Sequence, residues 1–237
     1  MLRIIPTIVS FYLITGIAPV LFTAAVYGQQ LDNAGFENWE TVRSNIIEPV
    51  GWTSLKNTDG GFFMNRLAPD GLERCTEAHT GTYCVKLINK TAMNIIATGT
   101  LTNGAIHSDF DPEKSYVYTD TTDTRLCTRF SAHPDSLAGW FKFYPSGDDK
   151  VMVWAVLHTG EGSIPEFGTK KNWVADALFV SKPVTYGTWT RFSLPFTYYK
   201  KGQKPDFILI VLNSGYGTKA IDGSVAFFDD IQLIYNK

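Results

Sequence analysis

Two aromatic rings and an ammonium group share one face of a predicted strand, and together they could bind a polyol. The three residues are Trp140, Lys142 and Tyr144, which alternate with Phe141 and Phe143. Successive side chains of a β-strand point to opposite faces, and a sandwich buries one face of each sheet. Because the two phenylalanines supply the buried face, we expect the Trp140 row to be exposed or to line a groove. There its rings could stack on a sugar while the ammonium donates hydrogen bonds to hydroxyls.

Two further tryptophans are candidates for the same ligand site. Trp154, followed by His158, lies on the next predicted strand and could extend the face of Trp140. Trp173 follows a polar stretch and is expected in a loop, where it could contact a ligand at the rim of the site. The alternative for each ring is the hydrophobic core, because most tryptophans in folded proteins are largely buried.

The last predicted strand contains a carboxylate among apolar residues. By period two, Asp229 shares its face with Val225, Phe227, Ile231, Leu233 and Tyr235. An inward carboxylate is costly unless it is paired or bound to a metal. Glu37 offers a second carboxylate beside a flexible glycine, and oxygen ligands of this kind suit Ca²⁺. The alternative is that Asp229 accepts hydrogen bonds from loop N–H groups, since buried polar groups usually find partners.

Local signatures of catalysis are absent from the sequence. It has no Gly-x-Ser-x-Gly elbow and no Gly-rich phosphate loop, and its histidines are not at metal-ligand spacing. Glycoside hydrolysis needs two carboxylates that face one bond. The acidic residues lie mostly in predicted loops, from which they could still converge. We therefore expect a protein that is not an enzyme, with a glycoside hydrolase as the third alternative for its function.

The elements that must position these residues are short strands. Runs with period-two alternation are separated by Gly, Asn, Asp and Pro, and helical periodicity is almost absent. Residues 207–212 are apolar at every position, which predicts a strand that is buried on both faces. The pattern predicts an all-β fold, a jelly-roll β-sandwich of two antiparallel sheets, formed by residues 29–237 as a single domain.

Composition excludes two classes of protein. Of the 237 residues, 44% are hydrophobic and 14% are aromatic, which is too apolar for a disordered chain. Lys and Arg number 21 against 23 Asp and Glu, which gives a formal net charge of −2. Because the sequence also has no basic run, we expect no nucleic-acid partner.

Residues 1–28 are typical of a secretory signal peptide. Arg3 is followed by an uncharged apolar stretch over residues 4–27, and the expected cleavage follows Gly28. The alternative is an uncleaved membrane anchor, because the apolar stretch is long enough to cross a bilayer. Pro6, Gly16 and Pro19 weaken that alternative. We therefore expect a secreted, periplasmic or cell-surface protein with no membrane span after cleavage.

Secretion would allow disulfide bonds. Cys75 and Cys84 flank a turn-like stretch at 78–81 and are the candidate pair, although three pairings with Cys127 are possible and one cysteine is left over. The alternative is three separate buried thiols, because a free cysteine is often a small core residue.

The order of several motifs resembles a known family. Four stretches of the chain resemble those of galactose-binding-like carbohydrate-binding modules. They are Gly-Phe-Glu-Asn-Trp at 35–39, Pro-Val-Gly-Trp at 49–52, residues 79–87 and residues 223–233. The middle of the chain carries motifs that are more specific to one family. They are Arg-Phe at 129–130, residues 134–143, Gly-Asp at 147–148 and Pro-Asp-Phe-Ile-Leu-Ile at 205–210. This part of the chain resembles the carbohydrate metabolism domain family known as PCMD, found in secreted Bacteroidota proteins.

The resemblance implies a jelly-roll sandwich with a non-catalytic role in binding a polysaccharide or oligosaccharide. It also implies that Glu37 and Asp229 are ligands of a structural Ca²⁺, which agrees with the alternation of the last strand. The alternative function is that of a cell-envelope protein which uses the same sandwich for protein interaction or structure. An exposed apolar patch without hydrogen-bonding side chains would favour that alternative.

Overall fold

The computed structural model describes residues 28–236. The predicted signal peptide therefore lies outside the described residues, except for Gly28, and it stays a prediction. Within the described part, no helix is long and apolar enough to cross a membrane.

The described residues form eighteen β-strands, one α-helix and four short 3₁₀ helices. The strands are β1 Trp39–Arg43, β2 Ile46–Pro49, β3 Thr53–Ser54, β4 Leu72–Cys75, β5 Cys84–Ile88, β6 Lys90–Ala92, β7 Ile95–Ala97, β8 Thr100–Thr102, β9 Ala105–His107, β10 Tyr116–Tyr118, β11 Ser136–Tyr144, β12 Met152–His158, β13 Ser163–Ile164, β14 Trp173–Val180, β15 Tyr186–Pro195, β16 Thr197–Tyr198, β17 Phe207–Asn213 and β18 Val225–Ile234. The α-helix is α1 Gly61–Leu67, and the 3₁₀ helices are Pro112–Lys114, Thr124–Leu126, Lys170–Asn172 and Gly217–Lys219.

Two antiparallel sheets form the sandwich. The five-stranded sheet has the order β15-β11-β18-β5-β4, and the six-stranded sheet has the order β16-β14-β12-β17-β8-β3. Along the chain, β11, β15 and β18 belong to the first sheet, whereas β12, β14 and β17 belong to the second. The chain therefore crosses repeatedly between the sheets, and the predicted all-β jelly-roll β-sandwich is confirmed.

Alternation in β11 directs its side chains as the sequence predicts. Phe141 and Phe143 are buried in the core between the sheets, whereas Trp140, Lys142 and Tyr144 stay partly exposed on the outer face. Burying each phenylalanine contributes about 1.5–3 kcal/mol. The strand is therefore fixed in register by its inner face, and this fixes where the outer row lies.

A smaller sheet covers part of the outer face of the six-stranded sheet. It has the order β13-β10-β9. Its inward residues Ile106, Val117 and Ile164 form a second core cluster with Val156 and Leu209 of the six-stranded sheet. Strand β17 is thus buried on both faces along most of its length, as its unbroken apolar run predicts.

A β-bulge in β18 corrects the predicted orientation of Asp229. This residue pairs with Trp140 of β11, and the register shifts immediately after the pair. The next residue, Asp230, has a positive φ of 48°, and an extra residue of this kind changes the side-chain parity of a strand. Asp229 and Phe227 therefore lie on the outer face with Trp140, whereas Ile231 belongs to the core.

A buried carboxylate joins the loops at one end of the sandwich. The oxygens of Asp149 accept five hydrogen bonds of 2.7 to 3.2 Å. The donors are the side chains of Asn89 and Ser224 and the backbone N–H groups of Lys150, Tyr216 and Ile221. This acceptor satisfies donors from three segments, which are Asn89, Lys150 and the connection between β17 and β18, so the ends of several strands depend on it.

Replacing Asp149 with Ala should lower the free energy of unfolding by about 3 kcal/mol or more, because each buried donor left without an acceptor costs about 1–3 kcal/mol. Urea denaturation measures this change. Asp148→Ala is the matched control, since this neighbouring carboxylate is exposed. Equal stability of the two variants would contradict the role of Asp149.

Candidate functional site

A groove of about 840 Å³ lies over the part of the six-stranded sheet that the smaller sheet leaves open. Its floor includes Thr100 of β8, Val211 and Asn213 of β17, and Met152 and Trp154 of β12. Strand pairing aligns these residues, because Asn213 is opposite both Met152 and Thr100, and Val211 is opposite Trp154. The outer face of three neighbouring strands therefore forms one continuous floor.

Walls from distant segments enclose this floor. The β6–β7 hairpin and the 3₁₀ helix Gly217–Lys219 line the groove, as do Tyr116 of β10 and Phe110 in the loop before it. Helix α1 also lines the groove through Met64 and Leu67. The groove thus combines an aromatic floor residue with further aromatic and aliphatic side chains on its walls.

The protein fixes the ring of Trp154 on this floor. Its Nε1–H donates a hydrogen bond of 3.0 Å to Asp176 on the neighbouring strand β14. The other oxygen of Asp176 accepts a hydrogen bond of 2.5 Å from the Tyr199 hydroxyl. The ring of Trp154 also packs edge-to-face on Trp173, with centroids 5.8 Å apart. Its polar edge is therefore satisfied, while the residue stays partly exposed.

The structure corrects the predicted rim position of Trp173. This residue begins β14 and is only 1% exposed. The Lys170 ammonium lies 3.8 Å from the centre of its ring. Trp173 is therefore a buried residue that packs against Trp154. It is buried because it begins an apolar strand.

The predicted face of Trp140 does not extend to Trp154. Trp154 and His158 lie on β12 in the six-stranded sheet, whereas Trp140 lies on β11 in the five-stranded sheet. Because β11 and β12 belong to opposite layers, their outer faces point away from each other. His158 is fully buried, and its Nε2 is 2.8 Å from the Thr119 hydroxyl.

The chain itself covers the Trp140 row. The imidazole of His79 stacks on the Trp140 ring at 4.0 Å. The Lys142 ammonium is 3.2 Å from a Glu77 oxygen and 5.0 Å from the centre of the Trp189 ring. Tyr144 is 42% exposed and is the most open residue of the row. One face of Trp140 and the charge of Lys142 are thus already occupied by the loop at residues 76–83.

Asp229 anchors that loop through hydrogen bonds. Its Oδ2 accepts hydrogen bonds from the backbone N–H groups of His79 at 2.7 Å and Thr80 at 3.3 Å. Its Oδ1 accepts a hydrogen bond of 2.8 Å from the N–H of Asp230. The side chain of Asp230 in turn bonds the His79 ring at 2.6 Å. This arrangement matches the loop N–H alternative that the sequence leaves open for Asp229.

Glu37 holds the other end of the same loop. Its Oε1 accepts hydrogen bonds from the N–H groups of Thr82 at 2.8 Å and Tyr83 at 3.1 Å. These N–H groups direct partial positive charge at the oxygens that a cation would need. Among the described residues, no group of three or more Asp, Glu, His or Cys side chains is arranged to hold a metal. A Ca²⁺ shared by Glu37 and Asp229 would have to compete with these N–H groups, and calcium stays a prediction.

The predicted disulfide pair lies in adjacent positions. Cys75 of β4 is directly opposite Cys84 of β5. Both are free thiols in the structure, as is Cys127, so the disulfide is not formed in it. Burial raises the pKa of the Cys84 thiol well above its usual range.

The walls of the groove are not predictable from local sequence patterns. Met64 and Leu67 are three residues apart, and this spacing is a weak local signal of a short helix with one apolar face. Phe110 and Tyr216 lie in loops that are distant in sequence. Nothing local shows that these loops meet over one sheet, because that depends on the topology.

No protein-family model matches the chain, and no curated protein matches it. The resemblance to the PCMD family therefore rests on the sequence motifs alone. Solved structures with similar folds include TmCBM61 in complex with β-1,4-galactotriose, which is 10% identical, with 87% of this chain and 97% of that chain covered and a TM-score of 0.38. A cleaved adhesin domain of Lys-gingipain from Porphyromonas gingivalis is 14% identical, with coverages of 89% and 100% and a TM-score of 0.42.

A cyclase from Fischerella is 12% identical to this chain, with coverages of 86% and 96% and a TM-score of 0.39. A carbohydrate-binding module, an adhesin domain and a cyclase are three different kinds of protein. Likeness at this level therefore does not choose among functions, and the function must be argued from the groove.

Stability should depend on pH through Asp229. Burial raises the pKa of Asp229 from 3.8 to about 6, although three N–H groups oppose the shift. The folded state thus holds this proton more tightly than the unfolded chain, and the resulting stability is lost as pH rises through about 6. Burial lowers the pKa of His158 to about 4, which gives the opposite slope in the same range.

The comparison with Asp229→Asn isolates the contribution of Asp229, because His158 is unchanged in both proteins. We expect the unfolding free energy of the wild type to fall relative to that of the variant as pH rises from about 4 to about 6. Urea denaturation at several pH values measures this difference. A difference that stays constant, or that changes in the opposite direction, would rule out a raised pKa.

Calcium stays a prediction of the resemblance, and melting with and without EDTA tests it. Since N–H groups bond Oε1 of Glu37 and both oxygens of Asp229, we expect the same melting temperature in both conditions. A lower melting temperature in EDTA that added CaCl₂ restores would instead support a bound calcium ion.

Proposed function

We propose that the protein is a non-catalytic, carbohydrate-binding module-like protein that binds a glycan in the groove over the six-stranded sheet. The observation that carries the proposal is the partly exposed ring of Trp154 on the floor of that groove. Its hydrogen bond to Asp176 uses the ring edge, so the protein needs no ligand to satisfy Nε1. The ring can therefore stack on the C–H face of a sugar.

Polar side chains near Trp154 could receive the hydroxyls of that sugar. Thr98, Asn213, Tyr216 and Thr218 all line the groove. A few polar groups on an otherwise apolar surface are typical of sites that orient a small ligand.

The placement of acidic groups supports binding without hydrolysis. The carboxylates that line the groove, Asp109 and Glu113, come from the same loop. Glycoside hydrolysis needs a carboxyl group on each side of the scissile bond. One loop on one wall supplies these groups together, so we favour binding over catalysis.

The location and family of the protein belong to the same proposal. The apolar segment at 4–27 supports secretion to the periplasm, the cell surface or the medium. The motifs at 129–143 and 205–210, and their order along the chain, support membership of the PCMD family. Both proposals agree with a protein that meets glycans outside the cytoplasm.

A protein-interaction function is the second candidate, and exposed apolar side chains favour it. Phe62 and Phe63 of α1 are 77% and 62% exposed, and Met93 in the turn of the β6–β7 hairpin is 63% exposed. Exposed groups of this kind often mark contact sites on soluble proteins. Retention of a protein partner that Phe62→Ser with Phe63→Ser abolishes would favour this candidate.

Replacing Trp154 with Ala should weaken glycan binding at least about tenfold, which corresponds to ~1.4 kcal/mol. The reason is the loss of the stacking surface. A glycan array first identifies the ligand of the wild type, and calorimetry then measures its affinity. Trp154→Phe keeps a ring and should retain part of the affinity, and circular dichroism checks that both variants fold.

Trp140→Ala is the matched control on the opposite sheet. It should lose stability, because the His79 ring stacks on Trp140, but it should keep its affinity for the glycan. If Trp140→Ala loses binding while folded and Trp154→Ala does not, the site is on the five-stranded sheet and our assignment is wrong. If the folded wild type binds no glycan, the protein-interaction function is favoured instead.

A further inference from the structure

Two cysteines face each other at the base of the loop at residues 76–83. Cys75 ends β4 and Cys84 begins β5, and the two residues are directly opposite in this antiparallel pair. Opposite residues of such a pair have Cα atoms about 4.5–5.5 Å apart, and a disulfide spans Cα atoms about 4.4–6.8 Å apart. The backbone at this position is therefore already at the spacing that a disulfide needs.

The two sulfurs lie side by side on the outer face of the sheet. Val85 belongs to the core, so by alternation Cys84 and Lys86 lie on the outer face. The next opposite pair on that face meets across the strands, because the Lys86 ammonium is 2.8 Å from a Glu73 oxygen. Burial, and after it the neighbouring Cys75 thiol, raises the pKa of the Cys84 thiol. The thiols are thus in contact range of each other.

The two thiols differ in exposure, and this sets the order in which they react. Cys84 is fully buried, whereas Cys75 is partly exposed. A dissolved oxidant or reductant therefore meets the Cys75 sulfur first. Because burial raises the pKa of the Cys84 thiol, its thiolate is a poor leaving group when a reductant attacks Cys75. A disulfide between the two residues is thus slow to be reduced.

The loop between the two cysteines covers Trp140 through the stacked ring of His79. Asp229 and Glu37 hold the loop by accepting hydrogen bonds from its backbone N–H groups. At its base the loop continues into β4, which is the edge strand of the five-stranded sheet. An edge strand pairs on one side only, so β4 can separate from β5 together with the loop. A covalent bond between the two strands at this point would prevent that opening.

We propose that Cys75 and Cys84 are oxidised to a disulfide that closes the base of the loop and holds the loop over Trp140. The cross-link stabilises the protein in two ways, because it restricts the unfolded chain and prevents local opening of the edge strand. This inference goes beyond the proposed glycan binding and does not depend on it, since the groove lies over the other sheet.

The reaction is thiol–disulfide exchange with a small disulfide such as oxidised glutathione. The Cys75 thiol loses its proton, and its sulfur attacks one sulfur of oxidised glutathione, which releases one glutathione thiolate. The Cys84 thiol then loses its proton, and its sulfur attacks Cys75 in the mixed disulfide and releases the second glutathione thiolate. Two protein thiols are oxidised to one disulfide, one glutathione disulfide is reduced to two thiols, and the two protons pass to the released thiolates.

Oxidation of the purified protein tests the proposal. After treatment with oxidised glutathione, mass spectrometry of a non-reduced digest should find the peptides of Cys75 and Cys84 joined. Compared with protein kept in dithiothreitol, the melting temperature should rise by about 5 °C or more. Hydrogen exchange at the amides of His79, Thr80 and Thr82 should slow at least about tenfold, because β4 can no longer separate from β5.

Variants assign these effects to the one pair of cysteines. Cys75→Ser should abolish every response to oxidised glutathione, and the partly exposed position accepts the similar volume of serine. Cys127→Ser is the matched control, because Cys127 is also partly exposed and lies outside the loop. This control should keep every response. Circular dichroism checks that both variants fold.

The mass and exchange measurements can each overturn the proposal. A lasting mixed disulfide of Cys75 with glutathione, no cross-link at all, or a cross-link that contains Cys127 would show that the pair does not close. A Cys75–Cys84 cross-link that leaves the loop amides exchanging at the same rate would show that it does not hold the loop. None of these results bears on Trp154, so the proposed glycan binding is tested separately.

Discussion

The groove depends on one packing constraint, which is that the six-stranded sheet needs cover on both faces but receives it over only part of its width. Its inner face packs on the five-stranded sheet, and the sheet β13-β10-β9 covers Val156 and Leu209 on its outer face. Beyond that cover, the outer face continues through Trp154 and Val211 to Asn213. Leaving these residues fully open would expose apolar surface, and the walls of the groove reduce that exposure without closing it. A groove thus arises at the border between a covered and an uncovered part of one sheet.

Local alternation predicted the strands that contain Trp140, Trp154 and Asp229, because burial of one face imposes period two on the sequence. The double burial of β17 follows from its unbroken apolar run, but Trp173, which begins β14, was wrongly expected in a loop. The partners of each strand do not follow in this way. The sequence shows that β11 and β12 are strands, but only the topology assigns them to opposite layers. Trp140 and Trp154 were for this reason wrongly expected on one face.

The bulge at Asp230 shows a second limit of sequence patterns. Alternation counts every residue once, so one extra residue in β18 reverses the predicted face of Asp229. The physical argument that a buried carboxylate needs partners was nevertheless correct, since Asp229 is buried and accepts hydrogen bonds from His79, Thr80 and Asp230. The need of a buried side chain for hydrogen-bond partners is therefore more predictable than the face of the sheet on which it lies. The first depends on burial, and the second depends on strand register.

Trp140 and Trp154 differ in which part of the indole ring the protein contacts. At Trp140 the loop held by Asp229 and Glu37 brings His79 onto the face of the ring, so the stacking surface is occupied from within. At Trp154 the protein uses the polar edge, through the hydrogen bond from Nε1–H to Asp176. A ring can stack on a ligand only if one of its faces is open to that ligand. The position of one loop over the five-stranded sheet, and of the β13-β10-β9 sheet beside the groove, thus decides which tryptophan stabilises the fold and which is available for recognition.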